Sequence, residues 1–282
     1  MAGFRQELVG VFGQPVDENP TQAMIEAAFA AAGLDWRYLT IEVAPEGLAD
    51  AVRGARAMGF RGFNCTIPHK VAVVEHLDRL SQAAGIIGAV NCVVREEDEL
   101  VGENTDGAGF LASLRERRDP SGLRAVLLGA GGAARAIAVE LALAGAASIT
   151  IVNRSAERGR EVGALLERHA GEVRVEQLAG RFEIPPGTDL VVNATSIGLY
   201  PDVDAEVPLA LGAVAGRALV ADVIPNPPET RFLREAAAAG CETLDGLGML
   251  VEQGRIGVRL WTGVEPDAGA MRDALDRAFA AD

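Results

Sequence analysis

Leu123-Arg124-Ala125-Val126-Leu127-Leu128-Gly129-Ala130-Gly131-Gly132-Ala133-Ala134 is the stretch whose reading decides the fold. Its first half is an apolar run of strand length; its second half turns on glycine and passes into an alanine-rich helix that runs to about Ala144. Gly129, Gly131, Gly132 and Ala134 form the G-x-G-x-x-A pattern. Small residues there permit a tight turn and let a pyrophosphate approach the N–H groups of a helix N-terminus. Glycine-rich turns are common in a chain of this composition, so the motif alone is weak. Its context is stronger, because a second apolar run at 148–152 follows at the distance a βαβ unit requires. The expected fold is α/β, with a parallel Rossmann sheet that binds a dinucleotide.

Past that second strand stand Asn153, Arg154 and Ser155, with Arg158 one turn further on. A site for NAD would carry Asp or Glu here to meet the ribose hydroxyls. Arginine pairs instead with a 2′-phosphate, so the expected cofactor is NADP. The alternative is a solvated helix start, but cations there oppose the positive end of the helix dipole.

Toward the N-terminus, strands are predicted at 7–12, 36–43 and 61–67, with helices at 21–32 and 45–58 between them. Lys70 follows the third strand and Pro68, just past a strand's carboxyl end, where open α/β sheets bind ligands. It is also the single lysine among 26 lysines and arginines. A partly desolvated ammonium can surrender its proton and a guanidinium cannot, so a lysine kept in an arginine-using chain marks a position that exchanges protons. Chance survival is the competing explanation.

Apolar runs at 89–94 and 100–104 flank an acidic turn and predict a hairpin, from which Asn104-Thr105-Asp106-Gly107 leads into a helix. The charged segment 115–122 is the expected domain boundary. Further strands are predicted at 189–193, 218–223 and 241–244, and helices at 228–239, 247–261 and 267–279. The acidic, proline-bounded stretch 199–208 reads as a mobile flap.

The net charge of -14 repels nucleic-acid phosphates and anionic lipid, so neither partner is expected. The first residues lack a basic region followed by an apolar run, and no stretch is long enough to span a membrane. A soluble, cytoplasmic protein is the expectation. Cys65, Cys92 and Cys241 lack the spacing of a disulfide framework or zinc site and are expected to be buried thiols. His69 and His76 have no further ligands at metal-binding spacing, so surface or packing roles and no metal are expected.

With these segments laid out, the chain resembles the shikimate dehydrogenase family from about Gly10 to Gly263. Asn64-Cys65-Thr66-Ile67-Pro68-His69-Lys70, Gly88-Ala89-Val90-Asn91, Asn104 to Phe110 and the Gly129 loop carry the resemblance. So do Asn153-Arg154-Ser155, Asn193-Ala194-Thr195-Ser196, Asp222 to Thr230 and Gly246 to Gln253. Each is modest alone; together, in order, they are specific. The resemblance implies a substrate-binding and catalytic domain over 1–110, an NADP-binding Rossmann domain over 122–246, and C-terminal helices over 247–282 that return to the first domain. It implies Lys70 and Asp106 as the catalytic pair, and Thr66, Asn91 and Gln253 as substrate ligands. Thr195, Gly248 and Met249 fall where the family holds the nicotinamide end.

Two departures concern the substrate. Asn19-Pro20-Thr21-Gln22 stands where the family has Ser-x-Ser-Pro, which leaves Asn19 and Thr21 as the expected contacts to a substrate carboxylate. Pro225 replaces a tyrosine after the 218–223 strand. The expected reaction is NADP-dependent oxidation of a cyclic polyhydroxy carboxylate, shikimate to 3-dehydroshikimate first. Quinate, an amino-shikimate or another ring acid is the alternative, followed by a catalytically silent dinucleotide sensor. Folate-linked dehydrogenases share the two-domain plan but not the Asn-Thr-Asp-Gly segment. A homodimer is compatible with the chain, whose oligomeric state is open.

Overall fold

The computed structural model describes residues 5–17 and 19–279; part of the leader inspected for a targeting signal lies outside them. In chain order the elements are β1 Glu7–Gly13, α1 Thr21–Ala31, β2 Trp36–Glu42, α2 Leu48–Met58, β3 Gly62–Cys65, α3 His69–Ala72, β4 Arg79–Leu80, α4 Gln82–Ile87, β5 Cys92–Glu96, β6 Glu99–Glu103 and α5 Thr105–Arg115. There follow β7 Arg124–Leu128, α6 Gly132–Leu143, β8 Ser148–Asn153, α7 Ala156–Leu166, β9 Glu172–Gln177, β10 Phe182–Glu183 and β11 Leu190–Asn193. The chain continues with β12 Leu209–Ala210, β13 Leu219–Asp222, α8 Arg231–Ala238, β14 Glu242–Leu244, α9 Gly246–Thr262 and α10 Ala268–Phe279.

These elements form two compact units, one of residues 1–105 and 251–282, the other of residues 106–250. The divisions fall at the first bond of α5 and inside α9. The charged segment 115–122 is not a boundary: it lies within the second unit, where Gly122 N donates to Gly145 O at 2.9 Å.

In the first unit the strand order is β2-β1-β3-β5-β6-β4. β1 pairs in parallel with both β2 and β3, whereas β5 runs antiparallel to β3 and forms an antiparallel hairpin with β6. Phe12 and Phe63 stack on neighbouring strands at 4.6 Å in a core shared with Val52, Phe60, Val73 and Val93. The C-terminal part of α9 is seated by Trp261, whose Nε1 donates to Val93 O at 2.9 Å. Glycine at 62 is required there, since any Cβ would run into the indole.

The second unit is a six-stranded, wholly parallel sheet in the order β14-β13-β11-β7-β8-β9. Counted from the first strand of the unit, this is the doubly wound Rossmann order, with its switch point between β7 and β11. Val126, Leu128, Val152, Val191 and Val220 fill its interior, as expected for strands covered on both faces.

Candidate active site

In the first unit, β1, β2 and the hairpin together fix the turn that carries Lys70. His69 N donates to Thr66 O at 2.8 Å and closes the turn; Gln14 N, after β1, holds Ile67 O at 3.0 Å. Val90 N holds the Lys70 carbonyl at 2.7 Å. His69 is fully buried and its Nε2 reaches Val43 O at 2.7 Å. Lys70 itself is half-buried in the first turn of α3, and Thr66 beside it is also half-buried. Burial pushes the Cys65 thiol up to about 12, with the Lys70 ammonium pulling it weakly down, so Cys65 is a neutral packing group.

Asn91 is brought to the same unit by the hairpin. Its amide donates to Thr105 Oγ1 at 3.0 Å, and its carbonyl accepts from Thr105 N at 2.6 Å. Thr105 Oγ1 lies 3.4 Å from Gln253 Oε1 on α9. On the other side the Asn91 backbone carbonyl accepts from Asn64 Nδ2 at 2.9 Å, and Asn64 Oδ1 accepts from the buried Tyr38 hydroxyl at 2.7 Å. Asn91, Thr105 and Gln253 are thus one buried polar cluster in a satisfied network. Asn19 and Thr21 stand at the start of α1, with Asn19 Oδ1 accepting from Thr21 N at 2.9 Å. That bond uses one lone pair of the Asn19 oxygen, and its NH₂ is the donor it can offer a carboxylate.

The second unit holds the remaining predicted residues. Asp106 is half-buried in the first turn of α5, which packs so closely on α6 that Gly107 has no room for a Cβ. Gly129 takes φ +119°, a conformation that favours glycine, and a Cβ there would come within 2.8 Å of Ala194 O and 3.1 Å of Thr195 Cγ2. Gly131 and Gly132 face open space, and no side chain caps the N-terminus of α6; Ala134 is buried behind them. Exposed N–H groups under a cradle without Cβ atoms fit a pyrophosphate. Asn153 Nδ2 donates to Ser155 O at 2.9 Å, Ser155 Oγ caps α7 by accepting from Arg158 N at 3.3 Å, and Arg154 and Arg158 are exposed. Gly248 and Met249 are half-buried near the start of α9, and Gly248 N donates to Asp245 Oδ1 at 2.9 Å.

Three family models match in succession: the shikimate dehydrogenase substrate binding domain over residues 11–93, shikimate / quinate 5-dehydrogenase over 113–206, and the shikimate 5'-dehydrogenase C-terminal domain over 246–275. A shikimate dehydrogenase (NADP(+)) of Moorella thermoacetica is 45% identical over 278 residues, which cover 97% of this chain and 94% of that protein. The chain belongs to the shikimate dehydrogenase family. Among solved members of the family's fold, the ligand-free 5-ketofructose reductase of Gluconobacter sp. strain CHM43 superposes with a TM-score of 0.96. It is 55% identical, with 98% of this chain and 100% of that one covered. Shikimate 5-dehydrogenase of Thermus thermophilus, in complex with NADP(H) and shikimate, gives a TM-score of 0.84 at 36% identity, covering 97% and 100%.

Thr105, Asn193 and Asp222 all lie in segments that carry the resemblance, yet their hydrogen-bond partners emerge only from the fold. Thr105 lies inside a quoted motif, but only folding reveals it as the joint between Asn91 and Gln253. Asn193 and Asp222 end their strands opposite one another, and the polar residue closing each apolar run is the signal that points to them. Among the described residues no group of three His, Cys, Asp or Glu side chains could hold a metal, and no helix is long and apolar enough to cross a membrane.

Proposed function

We propose that the chain interconverts a secondary alcohol and its ketone on a polyhydroxylated small molecule with NADP as partner, shikimate and 3-dehydroshikimate being the pair favoured by the names of its curated relatives. The observation that carries the reading is the Lys70 turn: the chain's single lysine is held by backbone hydrogen bonds in the same unit as the Asn91–Thr105–Gln253 cluster.

NADP(H), when bound, supplies or accepts the hydride. Charge that develops on the substrate oxygen is stabilised by the Lys70 ammonium, which also provides the proton, with Asp106 as the second member of the catalytic pair. Thr66, Asn91 and Gln253 hydrogen-bond the substrate hydroxyls, and Asn19 and Thr21 hold its far end. The Gly129, Gly131, Gly132 and Ala134 turn seats the pyrophosphate. Asn153, Arg154, Ser155 and Arg158 take the 2′-phosphate, and Thr195, Gly248 and Met249 border the nicotinamide. Three buried free thiols favour the reducing cytoplasm.

A second reading rests on two observations: the 55% identity to a 5-ketofructose reductase, and the replacement of the family's two serines and tyrosine by Asn19, Thr21 and Pro225. Under it the same acid–base and hydride chemistry acts on an uncharged polyhydroxy ketone. Steady-state kcat/KM with 3-dehydroshikimate and with 5-ketofructose, each with NADPH, separates the two. A ratio far above one for the ring acid supports the first, and a ratio far below one replaces it by the second.

A further inference from the structure

The last rung between β11 and β13 pairs Asn193 with Asp222, at the carboxyl edge of the second unit's sheet. Asp222 is 2% exposed, and its carboxylate accepts from Thr230 Oγ1 at 2.8 Å, Asn193 Nδ2 at 3.1 Å and Ile224 N at 3.2 Å. Each partner opens a different segment. Asn193 Oδ1 accepts from Thr195 Oγ1 at 2.7 Å and Thr195 N at 3.3 Å, and Thr195 Oγ1 in turn accepts from Ile197 N at 3.1 Å. That loop touches the dinucleotide turn, for Thr195 and Ala194 are what a Cβ on Gly129 would meet. On the other side the Ile224 carbonyl lies against Gly246, with no room for a Cβ, and Gly246 begins the helix that carries Gly248 and Met249. Thr230 caps α8 by accepting from Leu233 N at 3.3 Å.

We propose that Asp222 is a positioning residue for hydride transfer: its buried carboxylate fixes the two loops that border the nicotinamide, through Asn193 and Thr195 on one side and Ile224 and Gly246 on the other. The proposal rests on the reading of Thr195, Gly248 and Met249 given above. An anion is needed because it can only accept. Facing it, the Asn193 amide must turn its NH₂ toward Asp222 and its oxygen toward Thr195, which orients the threonine. An amide at 222 would take the charged acceptor from the Asn193 NH₂, which would then be held only by Ile197 O at 3.2 Å and through its oxygen by Thr195, and would loosen that loop. Burial pushes the Asp222 carboxyl up to about 6, opposed by the Thr230 and Asn193 hydrogen bonds, so the group is mainly ionised at neutral pH.

The test compares wild type, Asp222→Asn and the exchange variant Asn193→Asp/Asp222→Asn at neutral pH, using whichever ketone the wild type turns over. In Asp222→Asn, kcat should fall and KM for NADPH rise by roughly tenfold to a hundredfold, the effect of a slightly misplaced reactant. KM for the ketone should move less. The exchange variant again sets a carboxylate against an amide and should recover most of the loss, which a merely structural role would not produce. Should Asp222→Asn not fold, Thr230→Val removes one donor and should give a smaller loss in the same direction. Unchanged kcat in a folded Asp222→Asn, or in Thr230→Val where that substitute is needed, overturns this proposal alone. Failure of the wild type to bind NADPH overturns the functional reading and takes this proposal with it.

Discussion

His69 Nε2 lies 2.7 Å from the carbonyl oxygen of Val43, and through that bond the segment after β2 holds the turn that presents Lys70. Both groups are buried, so His69→Leu leaves an acceptor without its donor. A loss of about 1–3 kcal/mol in stability is expected, measured by urea unfolding. His69→Gln keeps a donor and should recover part of it. Turnover should fall in the leucine variant beyond what its folded fraction explains, since the lysine turn loosens.

Lys70→Ala and Asp106→Asn should each lower kcat by roughly 10²- to 10⁴-fold, the usual scale of general acid–base catalysis. NADPH binding, followed by nicotinamide fluorescence, should persist in both. Lys70→Arg should not rescue, because a guanidinium keeps its proton. Near-native turnover in any of the three contradicts the assignment.

Replacing Arg154 by Ala should weaken NADP by roughly 10- to 100-fold, the worth of a hydrogen bond to a charged group, and leave NAD nearly unchanged. Titration of both cofactors checks this. Equal losses would mean that the arginine only decorates the start of α7.

Asp222 also predicts a dependence of stability on pH. Its carboxyl is raised by burial from the ordinary 3.8 to about 6, so the folded state holds this proton more tightly than the unfolded one. That contribution is fully present below about pH 4 and is lost as pH rises through about 6, a difference of about 3 kcal/mol across the whole range. Chemical denaturation of wild type against Asp222→Asn should show the wild type gaining relative stability between pH 7.5 and 5. A constant difference across that range would contradict the buried, ionised carboxylate.

Much of this architecture is legible in the sequence because the central strands of both sheets are short, mostly apolar runs ended by a small or polar residue. β1, β3, β7, β8, β11 and β13 fall within a residue or two of their expected places. β9 escapes because Glu172–Gln177 lies at the sheet edge and alternates charged with apolar residues, so it carries no apolar run. The segment 79–87 escapes because a two-residue strand and a short helix leave no periodicity to detect. The stretch 199–208 looks like a free flap in sequence, yet Arg231 Nη1 donates to Asp204 O at 2.8 Å and Arg181 pairs with Glu206 at 3.0 Å. Those partners are distant in the chain. The same holds for Thr105 between Asn91 and Gln253, whose role depends on three segments meeting.

Replacing Asn19 and Thr21 by serine restores the family's serine pair at the start of α1. The double variant should raise kcat/KM for shikimate relative to that for fructose, with NADP as acceptor. No change in the ratio would show that specificity is set elsewhere.

The most direct test of the central claim is the initial rate of NADPH oxidation by purified protein, with 3-dehydroshikimate or 5-ketofructose as acceptor, beside Lys70→Ala under the same conditions. The claim predicts turnover of at least one ketone by the wild type, with a loss of roughly 10²-fold or more in the variant. No turnover of either ketone by a protein that binds NADPH, or equal rates in wild type and variant, would contradict it.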